Sequence, residues 1–148
     1  MTLSGGSTDL EKRVNGVSME DVGILVLGHG STLPYNKELV ERMAQMISST
    51  HRGPVKTAYL NINNPTIVEG LQSFEGTGVG KIVALPIFLA HGVHTRQDIP
   101  RELGVDEVSR KGVVNINGSR VEVLCAEPLG VDECIAALAY RRAEEALK

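Results

Sequence analysis

The stretch GILVLGHGST, Gly23 to Thr32, decides the fold. Its first six residues form a short apolar run of Ile, Leu and Val between two glycines. A strand with one wet face would alternate apolar and polar residues. An unbroken run of this length suits a strand buried on both faces, as in a parallel sheet covered by helices. The run stops at His29, and the residues after it read as a loop.

Working outward, Asn36 predicts a cap for a helix starting near Lys37. Leu39, Val40, Met43, Met46 and Ile47 recur at three-and-four spacing along it. HRGP ends that helix. VKTAYLNI (Val55 to Ile62) reads as a second strand, and NNPT predicts a helix with Asn64 as its cap and Pro65 at its first position. The apolar face of this helix would be Ile67, Val68, Leu71 and Phe74. KIVALPIFL is a third buried strand, and RQDIPRELG a short helix or helical turn. VVNINGSRVEVL predicts a hairpin around Asn117-Gly118 that runs into Cys125. AEPLGVDE then leads to a last helix, Val131 to Leu147. The order predicts an α/β fold, a parallel sheet in a three-layer αβα arrangement.

Other classes are excluded by composition. The chain has 148 residues, 42% hydrophobic, with a formal net charge of -3. That suits one core, and no basic excess points to nucleic acid or a membrane surface. No apolar stretch is long enough to span a bilayer. Residues 1–21 are rich in Gly, Ser and charge and lack an apolar signal core. They are expected to form a flexible arm on a single domain, 22–148, in the cytoplasm. Cys125 and Cys134 lack zinc-ligand spacing and are expected to be free, buried thiols.

Open parallel sheets bind ligands beyond the carboxyl ends of their strands. HGST, NINNPT, AHGVHTRQD and EPLG all fall on that edge, and so does the unusual chemistry. His29 follows the first strand and His94 the third, so the sheet can bring them to one rim. Either they serve a metal or a proton, or they bond loop carbonyls. His91 and His94, three apart, would face opposite ways on a strand. Gly92 and Val93 disfavour a helix there, so only one of the pair is expected in the site. His51, at a helix end, reads as structural. Imidazoles without a fourth ligand suit transient handling of zinc, nickel, cobalt or copper, or proton transfer near neutral pH. The R-H-G-x-T of histidine phosphatases also resembles GHGST, but Gly28 stands where the phosphate-clamping arginine would be.

HGSTLPYNKELVERMA, NNPTIVEGL, ALPIFLAHGVHTRQDIPRELG and AEPLG together resemble the small archaeal CbiX-type class II chelatases, from about Val22 to the end. The resemblance implies a chelatase-like half domain. It also implies insertion of Co2+ or Ni2+, as substrate, into sirohydrochlorin, for cobalamin or nickel-tetrapyrrole synthesis. Neither ATP nor a tightly bound cofactor is implied. The small forms are similar to homodimers with the tetrapyrrole at the subunit interface. The family's metal-binding histidines map onto His29 and His94, while His91 matches a variable position. The macrocycle carries many carboxylates, so Lys37, Arg96 and Arg101 are candidate contacts, and Ser31 and Thr95 candidate hydrogen-bond donors.

One departure stands out. The family often carries acids after the second strand, in a pattern like L-E-x-x-E-P. Here Asn61 and Asn64 occupy those places. An amide takes no proton at neutral pH and is a poorer ligand for a divalent cation. The alternative reading is a tetrapyrrole- or metal-binding paralogue without turnover.

Overall fold

The computed structural model of the protein describes residues 13–148. β1 (Arg13–Val14) and β2 (Val17–Ser18) form a hairpin that turns through Asn15 and Gly16, at φ 50° and 78°. Asn-Gly is the pair a tight two-residue turn favours. This part of the expected loose arm is therefore structured, and residues 1–12 of it lie outside the described residues. A 3-10 turn, Met19–Asp21, leads into the main sheet.

β3 (Val22–Gly28), β4 (Val55–Tyr59), β5 (Lys81–Pro86), β6 (Lys111–Ile116) and β7 (Ser119–Cys125) lie in the order β4-β3-β5-β7-β6. β3 pairs in parallel with both β4 and β5, and β5 with β7. Leu25, Val26 and Leu27 of β3 are wholly buried, as a strand covered on both faces requires. β6 runs antiparallel to β7, joined by Asn117 and Gly118 at φ 47° and 87°, so the sheet is mixed at one edge.

α1 (Tyr35–Ser48) packs Val40 and Ala44 on Val26 and Tyr59. α2 (Ile67–Gln72) and α3 (Val93–Leu103) cover the other face. There Ile67, Leu71, Ile99 and Leu103 meet Leu25, Leu27, Ile82 and Val123. α4 (Glu133–Ala146) follows β7, and none of its residues is buried. The chain winds from β3 to β4 on one side, then crosses to β5 on the other. That reversal opens a crevice beyond the carboxyl ends of β3 and β5.

Several local expectations are corrected. α1 starts at Tyr35 after Pro34, so Asn36 lies inside the helix and is not its cap. Leu39 and Met46 are exposed, because α1 covers only two strands and its buried stripe is narrow. Asn64 does not cap α2. Thr66 does, its Oγ1 accepting from Glu69 N (3.2 Å) while the Glu69 carboxylate accepts from Thr66 N (2.9 Å). This shift turns Val68 out to solvent. Cys125 is buried as expected, but Cys134 is exposed on α4.

Gly23 is held by packing. A Cβ there would meet the Phe74 ring at 2.4 Å, whereas one on Gly80 would meet nothing within 4 Å. Gly23→Ala should therefore lower unfolding free energy by about 1–3 kcal/mol through overpacking. Gly80→Ala should stay within about 0.5 kcal/mol of wild type. Paired urea melts decide it, and equal effects would contradict this packing.

Candidate functional site

The loop after β3 is fixed by backbone pairing with the chain after β4 and by two asparagine side chains. Pairing with β4 continues past the strands, with Leu60 N donating to Gly28 O (3.0 Å) and Asn61 N to His29 O (3.1 Å). Gly30 sits at φ +94°, and a Cβ there would lie 1.8 Å from Asn61 O. Only glycine fits both the left-handed conformation and the close approach. Gly30 N donates to Asn36 Oδ1 (2.9 Å) and Ser31 N to Asn63 Oδ1 (2.8 Å). The asparagine expected to cap α1 thus holds the turn beside it.

This frame presents His29 to solvent. Its Nδ1 lies 3.4 Å from Gly30 O, and its ring stands edge-on to Phe88, at 6.2 Å and 72°. Nε2 has no partner among the described residues. The imidazole opens onto a cavity of about 430 Å³ lined by His29, Leu60, Asn61, Asp98, Arg101 and Glu102.

The segment after β5 departs from its expected geometry. Gly92 is extended (φ -114°, ψ 175°) and α3 begins directly after it, at Val93. A β-branched residue in the first position meets no preceding turn, so Val93 does not oppose helix formation there. Thr95 Oγ1 accepts from Gly92 N (2.7 Å) and donates to Gly92 O (3.0 Å), closing the first turn. His94 is the second residue of α3, beyond the carboxyl end of β5. His91 precedes the helix, so strand alternation does not relate the two histidines.

His91 has a partner that the sequence did not suggest. Its Nε2 lies 2.7 Å from Glu127 Oε2. A carboxylate only accepts, so Nε2 carries the hydrogen. The bond from His91, then the charges of Arg110, His91 and Arg96, hold the Glu127 carboxyl below its usual range. Leu129 N and Gly130 N also donate to Phe88 O and Leu89 O, each at 2.8 Å. FLAH is thereby tied to AEPLG. His91, Arg96, Glu107, Val108, Arg110 and Glu127 line a second cavity of about 360 Å³. Arg110 Nη2 donates to Cys125 Sγ (3.0 Å) and Ala126 O (3.1 Å), and burial pushes the Cys125 thiol up.

Of the residues expected at the site, His29, Asn61 and Arg101 share the first cavity, while His91 and Arg96 share the second. Ser31 Oγ accepts from Leu33 N (3.1 Å) within its own turn. The Thr95 hydroxyl is used in capping, so it is not a donor at the rim. Lys37, in the first turn of α1, and Asn64, ahead of α2, line neither cavity. His51 Nε2 lies 2.7 Å from Val22 O at the opposite end of β3, in keeping with a structural role. The residues missed were Asp98, Glu102 and Glu127. The i,i+4 spacing in DIPRE was the available signal for the first two. Glu127 had only its place on the rim.

A depressed carboxyl stabilises above its unfolded pKa, and that contribution is lost as pH falls through the folded value. Glu127→Gln should therefore differ from wild type in melting temperature at pH 7. The two should converge as pH drops below the ordinary carboxyl value of 4.5. A pH-independent difference between the melting curves would contradict the pairing.

Residues 23–146 match the CbiX family. A sirohydrochlorin cobaltochelatase of Methanosarcina barkeri is 47% identical over 129 residues, covering 86% of this chain and 98% of the relative. That of Methanothermobacter thermautotrophicus is 35% identical over 133 residues, 85% of this chain and 93% of its own. Among solved structures, the sirohydrochlorin chelatase SirB of Bacillus subtilis subspecies spizizenii in complex with cobalt superposes with a TM-score of 0.69 at 25% identity. It covers 84% of this chain and 50% of that one. An αβ sheet wound this way, with HGS and the FLA-x-G-x-H block on one rim and homology along nearly its whole described length, belongs to the CbiX family.

Proposed function

We propose that the protein is a chelatase that inserts Co2+ or Ni2+ into sirohydrochlorin without ATP or a tightly bound cofactor. The observation that carries this reading is His29. Its Nε2, without a partner among the described residues, stands at the topological switch point, over a cavity walled mostly by polar side chains. Insertion breaks two pyrrole N–H bonds, leaves both electron pairs on nitrogen to form metal–nitrogen bonds, and releases two protons. The ion must be held loosely enough to be handed over. A neutral imidazole from His29, joined by His94 from the first turn of α3, makes such a grip. Imidazole binds both metals, so a competition assay at controlled free-ion levels identifies the physiological one. Arg101 lines the first cavity and Arg96 the second, which supports them as contacts for the substrate's carboxylates.

The active species in this reading is a homodimer. α4 buries none of its residues, and Leu138 and Tyr140 on it are exposed. On the sheet, α1 covers only the β4–β3 half of its face. Beyond it lie the rows Val83–Leu124 and Glu122–Val113, with Val113 53% exposed. A helix without a sheet and a sheet half-face without a helix fit one another across two copies. Sedimentation should find a dimer for the whole chain and a monomer when it ends at Gly130. A monomeric whole chain would remove this part of the reading.

A non-catalytic binding protein is the second reading, favoured by Asn61 standing in the His29 cavity without a proton-accepting group. Spectrophotometry of sirohydrochlorin with Co2+ separates the two. The protein should accelerate insertion over the protein-free mixture, and His29→Ala should slow it at least about tenfold, or about 1.4 kcal/mol. His51→Ala should retain the rate per folded molecule. Wild-type rates equal to background would leave the binding reading standing.

A further inference from the structure

We propose that Glu102 is the proton acceptor for metal insertion, taking over a duty that the opposite loop of the cavity cannot perform. This rests on the reading of the His29 cavity as the insertion centre. The reaction must place two protons somewhere. A His29 nitrogen that binds the ion has no lone pair left for one. The β4 side of the cavity offers Leu60 and the amide of Asn61. Asn63 Oδ1 already accepts from Ser31 N, and no amide accepts a proton at neutral pH.

The acids come from the other wall. In α3, Ile99 and Leu103 are 1% exposed and fix the side that faces the core. Asp98 and Glu102 precede each of them by one position. They are four apart, so they share the next stripe of the helix. Both line the cavity that holds His29 and Asn61. They are not equivalent. Asp98 Oδ1 accepts from Arg101 Nη1 at 3.2 Å, which compensates its charge and orients it. Glu102 has neither hydrogen bond nor ion pair among the described residues, and it is exposed.

The step then balances. As a pyrrole N–H bond breaks, its electron pair stays on nitrogen and forms the bond to the metal, and the proton passes to a Glu102 carboxylate oxygen. Glu102, open to water, releases that proton to solvent and accepts the second in turn. The metal keeps its oxidation state throughout. On this account the amides at positions 61 and 64 do not mark lost catalysis, because the carboxylate stands on α3.

The test is steady-state Co2+ insertion into sirohydrochlorin by wild type, Glu102→Gln, Glu102→Asp and the double variant Asn61→Glu/Glu102→Gln. Glu102→Gln keeps the size of the side chain and removes the base. It should lower kcat by roughly 100-fold, the scale of a lost general base, with KM little changed. Melting temperature should stay at the wild-type value. Glu102→Asp should keep part of the rate, and a carboxylate returned at position 61 should restore part of it. Wild-type kcat in Glu102→Gln overturns the proposal while leaving the chelatase reading intact. So does a loss that neither carboxylate variant repairs, or one that follows melting temperature. An inactive wild type would instead sink the chelatase reading, and this proposal with it.

Discussion

The site depends on the room left by one missing side chain. At Gly30 the chain turns through φ +94° with the carbonyl of Asn61 where a Cβ would be. That contact lets the loops after β3 and β4 continue the register of their strands for two more residues. The amides of Asn36 and Asn63 then take up the N–H groups of Gly30 and Ser31. The loop after β3, the start of α1 and the loop after β4 are locked together with no charged group involved. His29 inherits a fixed position on a surface that is otherwise open to solvent.

From that fixed point the cavity divides into unlike walls. The β4 side offers the Asn61 amide and the apolar Leu60, and the α3 side offers Asp98, Arg101 and Glu102. A metal-insertion site needs a weak ligand, a base and a cationic contact for an anionic macrocycle, and these need not share one loop. The second cavity repeats the theme with Arg96 and Arg110 around the His91–Glu127 pair. Its main consequence is mechanical. Glu127 and the backbone of Leu129 and Gly130 clamp the segment from which α3 starts.

Much of this was legible in the chain. GILVLG declared a strand buried on both faces, Asn117-Gly118 declared its hairpin, and strand-end logic put His29 on the rim beyond the carboxyl ends of the strands. What stayed hidden was set by tertiary contacts. Asn36 and Asn64 carried the chemistry of helix caps, yet one holds a neighbouring turn and the other was displaced by the Thr66–Glu69 box. Val93 was read by its mid-helix propensity, although first positions escape that penalty. Glu127 could not be paired with His91, 36 positions away, without the sheet order that makes their loops neighbours. The spacing of Asp98 and Glu102 was visible, but which way their stripe faced depended on where Ile99 and Leu103 found the core.

In the proposed reaction the Nε2 of His29 receives the metal ion. Titrating Co2+ into the protein without tetrapyrrole, and following its visible d–d bands, addresses that directly. Nitrogen-ligated Co2+ is expected in the wild type, with affinity and band shape changed in His29→Gln and unchanged in His51→Gln. A His29→Gln protein that binds Co2+ with the wild-type spectrum and affinity would contradict it.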